Sequence, residues 1–125
     1  NYEVIQVSQE KLLANADVIS LHVPLTELTQ SMVNDEFLQH MKKSAYLVNN
    51  SRGPVVNQQA LKNALQHKII AGAALDVYES EPPDDLEFLS LPNLMITPHI
   101  GGNAEEAVLQ MGRSAIGHLK NFFLD

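Results

Sequence analysis

The sequence contains no cysteine, no tryptophan and few basic residues. Without cysteine there is neither a disulfide framework nor thiolate chemistry. Eight Lys and Arg against fifteen Asp and Glu leave a formal net charge of −7, which excludes the clustered positive surface that a nucleic acid needs. Apolar runs are too short to span a membrane, and the N-terminal residues lack the profile of a signal peptide. We therefore expect a soluble protein, most simply a cytoplasmic one.

What the sequence does contain is a regular alternation of apolar runs and amphipathic segments. The predicted strands are residues 17–23, 45–48, 69–75 and 94–97. The predicted helices are residues 9–15, 35–41, 58–67 and 104–123, and the first three follow the capping residues Ser8, Asn34 and Asn57. This order predicts an α/β fold with a doubly wound, mostly parallel sheet of the Rossmann type.

Two segments carry further expectations. The last predicted helix has apolar residues at every third or fourth position from Ala104 to Phe122, so one of its faces is expected to pack on the sheet. Residues 78–93 include Pro82, Pro83 and Pro92 and are predicted to form a long surface loop. Loops of that length in compact α/β domains are often functional.

Four ionisable residues, Arg52, Asp76, Glu81 and His99, each follow a predicted strand. The carboxyl ends of parallel strands meet at one edge of a sheet, and ligands of open α/β sheets bind there. We therefore expect these four side chains to form one site.

His99 is the residue on which the predicted chemistry depends. Its imidazole can exchange a proton with a hydroxyl group near neutral pH, and the adjacent Gly101 and Gly102 allow a ligand to approach the backbone closely. A carboxylate at Glu81 would hold the ring in one tautomer and favour its protonated form. The simpler alternatives are a histidine that caps a turn and a glutamate that is one of several acidic loop residues.

Arg52 and Asp76 complete the candidate set. Arg52 can make a bidentate pair with a carboxylate, although a surface arginine or a structural ion pair explains it equally well. Asp76 could accept a hydrogen bond from a carboxamide such as that of nicotinamide, or could cap the end of its strand. His22 is expected to pack at a strand end. His22, Asp76, Glu81 and His99 lack the close spacing of metal ligands, so no metal site is predicted.

Four segments together resemble the NAD-binding domain of the D-isomer-specific 2-hydroxyacid dehydrogenases. They are residues 16–26 (ADVISLHVPLT), 48–53 (VNNSRG), 74–82 (ALDVYESEP) and 97–101 (TPHIG). The resemblance implies an oxidoreductase that transfers a hydride between NAD(H) and a D-2-hydroxy acid or 2-oxo acid pair, with NADP not excluded. It assigns the substrate carboxylate to Arg52, the acid/base role to His99 and its partner role to Glu81.

The same resemblance implies a cofactor site and a homodimer. The implied cofactor-binding residues are Val23, Pro24, Asn50, Ser51, Arg52, Asp76, His99, Gly101 and Gly102. Val23 and Pro24 would border the adenosine, whereas the others would approach the nicotinamide side.

The chain departs from the family pattern because none of its six glycines forms a Gly-x-Gly-x-x-Gly turn. That turn and its helix receive the pyrophosphate in the first βαβ unit of the fold. We therefore expect residues 1–125 to be the C-terminal portion of an NAD-binding domain, without a substrate domain, and to bind NAD poorly and turn over negligibly alone. Two alternatives remain: an NAD(H)-sensing module of the corepressor kind, and a structural or assembly domain.

Overall fold

A computed structural model describes residues 4–124 of the chain. Its helices are α1 (Gln9–Asn15), α2 (Asp35–His40), α3 (Gln58–Gln66), α4 (Leu86–Leu89) and α5 (Glu105–Leu124). Its strands are β1 (Val18–Leu21), β2 (Tyr46–Asn49), β3 (Gly72–Leu75) and β4 (Leu94–Ile96), and a short 3₁₀ turn covers Gly53–Val55.

The four strands form one parallel sheet in the order β1-β2-β3-β4. Leu47 of β2 lies opposite Ile19 of β1 on one side and opposite Ala73 of β3 on the other. Each strand is joined to the next by a crossover that contains a helix, as parallel pairing requires. The α/β prediction and the partial Rossmann-type sheet are confirmed.

The helix N-termini lie where the capping residues predict. The side chains of Ser8, Asn34 and Asn57 each accept a hydrogen bond from a backbone N–H in the first turn of their helix. Such caps satisfy backbone donors that have no partner within the helix. The helices α2 and α3 each end one residue before the predicted boundary, because Met41 and His67 are the C-caps.

The core lies on one face of the sheet. On β1, Ile19 and Leu21 are buried while Val18 and Ser20 are exposed, as the period of two in a strand dictates. The buried face packs against α1, α2, α3 and α4, whose core residues are Leu13, Phe37, Leu38, Ala60, Leu61, Ala64, Leu65 and Phe88. The opposite face of the described sheet presents exposed apolar side chains, among them Tyr46 and Met95.

The prediction of a long surface loop at 78–93 is wrong in part, because this segment contains α4 and a core residue. The Asp85 carboxylate caps α4 by accepting from the backbone N–H of Phe88 at 3.0 Å. Phe88 is only 1% exposed. Lys62 of α3 holds Asp85 and Glu87 with its ammonium group, at 2.8 Å from each. A buried aromatic ring and an ion-pair cluster therefore fix the segment to α3.

The expectation that the last helix packs on the sheet is also wrong. Val108, Met111, Leu119 and Phe122 are all more than half exposed. The 3.6-residue period of α5 marks an apolar face, but a period does not say which surface that face meets.

Candidate active site

The predicted site residues follow the strands at the carboxyl edge of the sheet. β2 ends at Asn49, three residues before Arg52; β3 ends directly before Asp76; and β4 ends three residues before His99. The edge therefore receives its ionisable groups from three adjacent strands.

Glu81 and His99 are in direct contact. Oε2 of Glu81 lies 2.7 Å from Nδ1 of His99, and both side chains are partly exposed. The hydrogen bond to His99, with a second from the backbone N–H of Tyr78, holds the pKa of Glu81 below its usual value. Because an ionised carboxylate only accepts, Nδ1 carries the hydrogen and Nε2 is the nitrogen left to exchange a proton with a ligand.

Asp76 holds the loop that carries His99. Its Oδ1 accepts from the Thr97 hydroxyl and from the Ile100 backbone N–H at 2.9 Å, and its Oδ2 accepts from the Gly101 N–H at 2.7 Å. His99, between these anchors, has a left-handed backbone with φ of 54°. A non-glycine residue adopts that conformation only where its surroundings enforce it, and such residues concentrate at functional sites.

The pKa of Asp76 reflects a balance of opposing effects. Burial disfavours its charged form, but the hydrogen bonds from Thr97, Ile100 and Gly101, together with the positive charge of His99, lower its pKa overall. Asp76 is therefore ionised at neutral pH and makes a fixed negative anchor beneath the His99 loop.

Tyr78 connects the two parts of the acid/base pair. Its backbone N–H donates to Glu81 Oε1 at 3.1 Å, and its hydroxyl donates to the Thr97 carbonyl at 2.7 Å, two residues before His99. Burial is the main cause that raises the pKa of the Tyr78 hydroxyl, so it stays protonated and keeps its donor role. The loops of Glu81 and His99 are thus fixed to the same buried residue.

The Arg52 turn is built around Asn49, which is 1% exposed. The side-chain amide of Asn49 donates to the Arg52 carbonyl at 3.0 Å, and Oδ1 of Asn49 accepts from the backbone N–H and the hydroxyl of Ser51. A Cβ at Gly53 would lie 1.7 Å from the carbonyl oxygen of Tyr78, so the turn packs directly on the backbone that holds Glu81. The Arg52 guanidinium is exposed and donates to the Ser51 carbonyl.

Two neighbouring cavities lie at this edge. One, of about 480 Å³, is lined by His22, Val23, Pro24, Leu25, Asn50, Ser51 and Arg52. The other, of about 190 Å³, is lined by Val48, Asn49, Asn50, Ala74, Leu75, Asp76, Met95 and Thr97. Asn50 borders both cavities, so an elongated ligand could extend from the first into the second.

The structure thus places the predicted residues in two groups. One hydrogen bond joins Glu81 to His99 and another joins Asp76 to Gly101, whereas the larger cavity is surrounded by Val23, Pro24, Asn50, Ser51 and Arg52. No hydrogen bond within residues 4–124 links the Arg52 side chain to His99. Gly102 is exposed, and a Cβ there would meet nothing within 4 Å. The expectation that His22 packs at a strand end is wrong, because His22 is exposed and contacts Ser20 Oγ through Nε2 at 2.8 Å.

Sequence reasoning missed Asn49, Tyr78 and Thr97, which position the others. A signal was present for Asn49 alone, since a polar residue that closes an apolar strand needs buried partners. Tyr78 and Thr97 act across the fold, and their partners cannot be read from neighbouring positions.

Two further findings concern the part of the chain that the structure describes. No three histidine, aspartate or glutamate side chains there lie close enough together to hold a metal ion. No helix there has the length and hydropathy that crossing a membrane requires.

A parallel sheet with cavities at its carboxyl edge is the arrangement in which open α/β domains bind their ligands. Residues 1–101 match the family described as "D-isomer specific 2-hydroxyacid dehydrogenase, NAD binding domain", and the chain belongs to this family. NAD is the cofactor that this domain type binds.

Relatives support the assignment. The chain is 47% identical over 117 residues to a glyoxylate reductase of Korarchaeum cryptofilum, a match that covers 93% of the chain and 35% of that protein. It is 41% identical over 119 residues to a glycerate dehydrogenase of Methylorubrum extorquens, with coverage of 93% and 38%. The chain thus spans about a third of the length of the relatives it matches.

Solved structures agree. A D-lactate dehydrogenase from Sporolactobacillus superimposes with a TM-score of 0.77 at 47% identity, covering 84% of the chain and 36% of that protein. The D-lactate dehydrogenase of Aquifex aeolicus, complexed with NAD and lactic acid, superimposes with a TM-score of 0.81 at 34% identity, covering 94% and 40%.

Proposed function

We propose that the complete protein is an NAD-dependent D-2-hydroxyacid dehydrogenase, which reduces a small 2-oxo acid or oxidises the corresponding 2-hydroxy acid. The observation that carries the proposal is the 2.7 Å contact between Glu81 and His99 at the carboxyl edge of a parallel sheet. A histidine held by an ionised carboxylate is a proton donor and acceptor of the kind this reaction needs.

His99 is the acid/base in this proposal. In reduction, Nε2 donates a proton to the carbonyl oxygen of the substrate as the carbonyl carbon receives the hydride. In oxidation, Nε2 accepts the hydroxyl proton. Glu81 stabilises the protonated ring and keeps Nδ1 of His99 in a hydrogen bond. Asp76 fixes the loop by accepting hydrogen bonds from the backbone N–H groups of Ile100 and Gly101.

Arg52 binds the substrate carboxylate. Its guanidinium is exposed at the rim of the larger cavity, and its fork of N–H donors matches a carboxylate in geometry and charge. Such a pair orients the substrate so that its carbonyl group faces His99. The Gly53 contact with the Tyr78 backbone supports this placement, because it joins the Arg52 turn to the residue that holds Glu81.

The cavity residues fit parts of a dinucleotide. Val23 and Pro24 give the larger cavity an apolar wall suited to a ring, and Asn50 and Asp76 give the smaller one polar groups suited to a carboxamide. When bound, NADH would supply the hydride in reduction and NAD⁺ would accept it in oxidation. Thr97, Gly101, Gly102 and Ser51 border the same edge, and NADP is not excluded by these residues.

Further parts of the proposal concern the whole protein. Residues 1–125 are the C-terminal portion of its NAD-binding domain, and a separate substrate domain completes the catalytic site. A homodimer in the cytoplasm is the expected form, and the exposed apolar residues on one sheet face and on α5 support an assembly that covers them. The relatives named above are enzymes, which favours catalysis over a cofactor-sensing module of the corepressor kind.

The test is NADH oxidation by the complete protein against glyoxylate, hydroxypyruvate, pyruvate and bulkier 2-oxo acids, beside the His99→Gln variant. We expect turnover with at least one acid and a loss of at least about 100-fold in kcat in the variant. NADH binding without turnover on any of these acids would contradict the enzymatic proposal and support the sensing module.

A further inference from the structure

A cavity of about 550 Å³ lies at the opposite, amino edge of the sheet. Its accessible apolar lining comes from Leu91 and Pro92 before β4, and the lining also includes the buried Leu65 at the end of α3 and Ile70 before β3, which are 2% and 0% exposed. A volume of this size is within the range of small-molecule sites. None of its lining residues belongs to the catalytic set or to the cavities at the carboxyl edge.

We propose that this cavity is a second binding site, and that its ligand is a small monocarboxylate with an apolar body, such as a medium-chain or aromatic acid. The apolar wall would accept the body of the ligand, and the amino groups of Lys43 and Lys68, which also line the cavity, would bind its carboxylate. The inference does not depend on the proposed dehydrogenase activity.

The cavity is held by a fixed polar contact between its walls. The side-chain amide of Asn93 donates to the Leu65 carbonyl at 3.1 Å and to the Ala71 carbonyl at 3.4 Å. It therefore ties the end of α3 to the segment before β3. The site is preformed, which reduces the ordering that a ligand would otherwise have to impose.

The charge at the cavity is unusual for this chain. The chain carries only eight basic residues against fifteen acidic ones, yet two lysines line this one cavity. Lys42 and Lys62 each form an ion pair with a carboxylate, whereas Lys43 and Lys68 form none within residues 4–124. Two cations without a protein counter-charge beside an apolar wall are complementary to an amphipathic anion.

Lys68 also has a strained backbone. It follows the C-cap of α3 and has a left-handed conformation with φ of 53°. Glycine is the residue that helices most often place there, because it has no Cβ to clash. The conformation is that of a helix end, because the N–H of Lys68 donates to the Leu65 carbonyl at 3.2 Å and the N–H of Ile69 donates to the Ala64 carbonyl at 2.8 Å. This turn of the chain leaves the Lys68 side chain among the residues that line the cavity.

The experiment uses hexanoate as the probe and hexan-1-ol as its uncharged control. Both are titrated into the complete protein with the Arg52→Gln substitution, which removes the carboxylate anchor of the catalytic site. Methyl NMR signals of Leu65, Ile70 and Leu91 report binding, and the Ile19 methyl on the far strand serves as the internal reference. We expect hexanoate to shift the three cavity residues and to bind at least about fivefold more tightly than hexan-1-ol.

Two substitutions at Lys68 separate charge from strain. Lys68→Gln keeps the strain and should weaken hexanoate binding by roughly fivefold. Lys68→Gly relieves the strain, so it should weaken binding equally while raising the urea midpoint of unfolding. Lys43→Gln should weaken binding without that rise. Equal binding of acid and alcohol, hexanoate binding unaffected by all three substitutions, or the absence of shifts at the cavity methyls would overturn the proposal.

Discussion

Oε2 of Glu81 lies 2.7 Å from Nδ1 of His99, although 18 positions separate the two residues in the sequence. Glu81 stands in the segment between β3 and β4, and His99 follows β4. Tyr78 donates a hydrogen bond to the carboxylate of Glu81 and another to the Thr97 carbonyl beside His99. The pair is therefore a product of two loops that one buried residue holds together.

The first prediction concerns the pH dependence of reduction. Reduction needs a protonated His99, and the lowered pKa of Glu81 keeps its carboxylate charged at neutral pH. Glu81→Gln removes that charge, so the decline of the reductive rate should begin at lower pH, and kcat at neutral pH should fall by about tenfold or more. The measurement is kcat against pH for reduction of a 2-oxo acid by the complete protein.

Glu79→Gln is the matched control, because Glu79 is an exposed acidic residue of the same segment that makes no side-chain hydrogen bond within residues 4–124. Its pH profile should match that of the wild type. An unchanged profile in Glu81→Gln would remove Glu81 from its assigned role.

The second prediction concerns the glycine that supports the Arg52 turn. A Cβ at Gly53 would lie 1.7 Å from a backbone oxygen of Tyr78, and neither backbone can move without disturbing the site. Gly53→Ala should therefore lower the free energy of unfolding by about 3 kcal/mol, at the upper end of overpacking effects. Urea unfolding measures the loss. Gly102→Ala is the comparison, because open space surrounds that position and its effect on stability should stay within about 0.5 kcal/mol.

The third prediction tests whether α4 belongs to the core. Phe88 is 1% exposed, so Phe88→Ala should lower the free energy of unfolding by about 3 to 5 kcal/mol through lost burial and the cavity left behind. Leu86, in the same helix, is 78% exposed, and Leu86→Ala should change the free energy of unfolding by less than about 0.5 kcal/mol. Similar small losses in both variants would mean that the segment is the loosely attached loop that its prolines suggest.

The fourth prediction concerns acid stability. The pKa of Asp76 is lower in the folded chain than its ordinary value, since hydrogen bonds from Thr97, Ile100 and Gly101 outweigh the effect of burial. The stabilisation is complete at pH values above the pKa of an aspartate in the unfolded chain, which is about 4. It is lost as the pH falls through the lower pKa that Asp76 has in the folded chain. Asp76→Asn should therefore lower the free energy of unfolding by about 2 kcal/mol at pH 7. Below about pH 4 the free energies of unfolding of the variant and the wild type should approach each other.

Urea midpoints between pH 2 and pH 7 check this prediction. Asp84→Asn is the control, because Asp84 is exposed and its side chain accepts no hydrogen bond from the described residues. A difference between wild type and Asp76→Asn that stays constant with pH would show that Asp76 contributes by packing and not by its charge.

Sequence patterns predicted the order of strands and helices, the caps of three helices and the edge of the sheet at which the candidate site lies. These features depend on local physics. Apolar periodicity distinguishes strands from helices, a polar side chain before a helix caps it, and parallel strands bring their carboxyl ends to one edge. The sequence could therefore assign Arg52, Asp76, Glu81 and His99 to one edge of the sheet, but it could not show that they fall into two groups there.

The way in which those groups are held, and the failure of some expectations, depend on contacts made in the folded chain. Asn49, Tyr78 and Thr97 position the site through contacts with residues of other loops, and no local pattern encodes such contacts. The burial of Phe88 and the exposure of α5 likewise depend on what each apolar face meets in space. Periodicity shows that a face is apolar, but the surface it packs against is set by contacts between segments that are distant in the sequence.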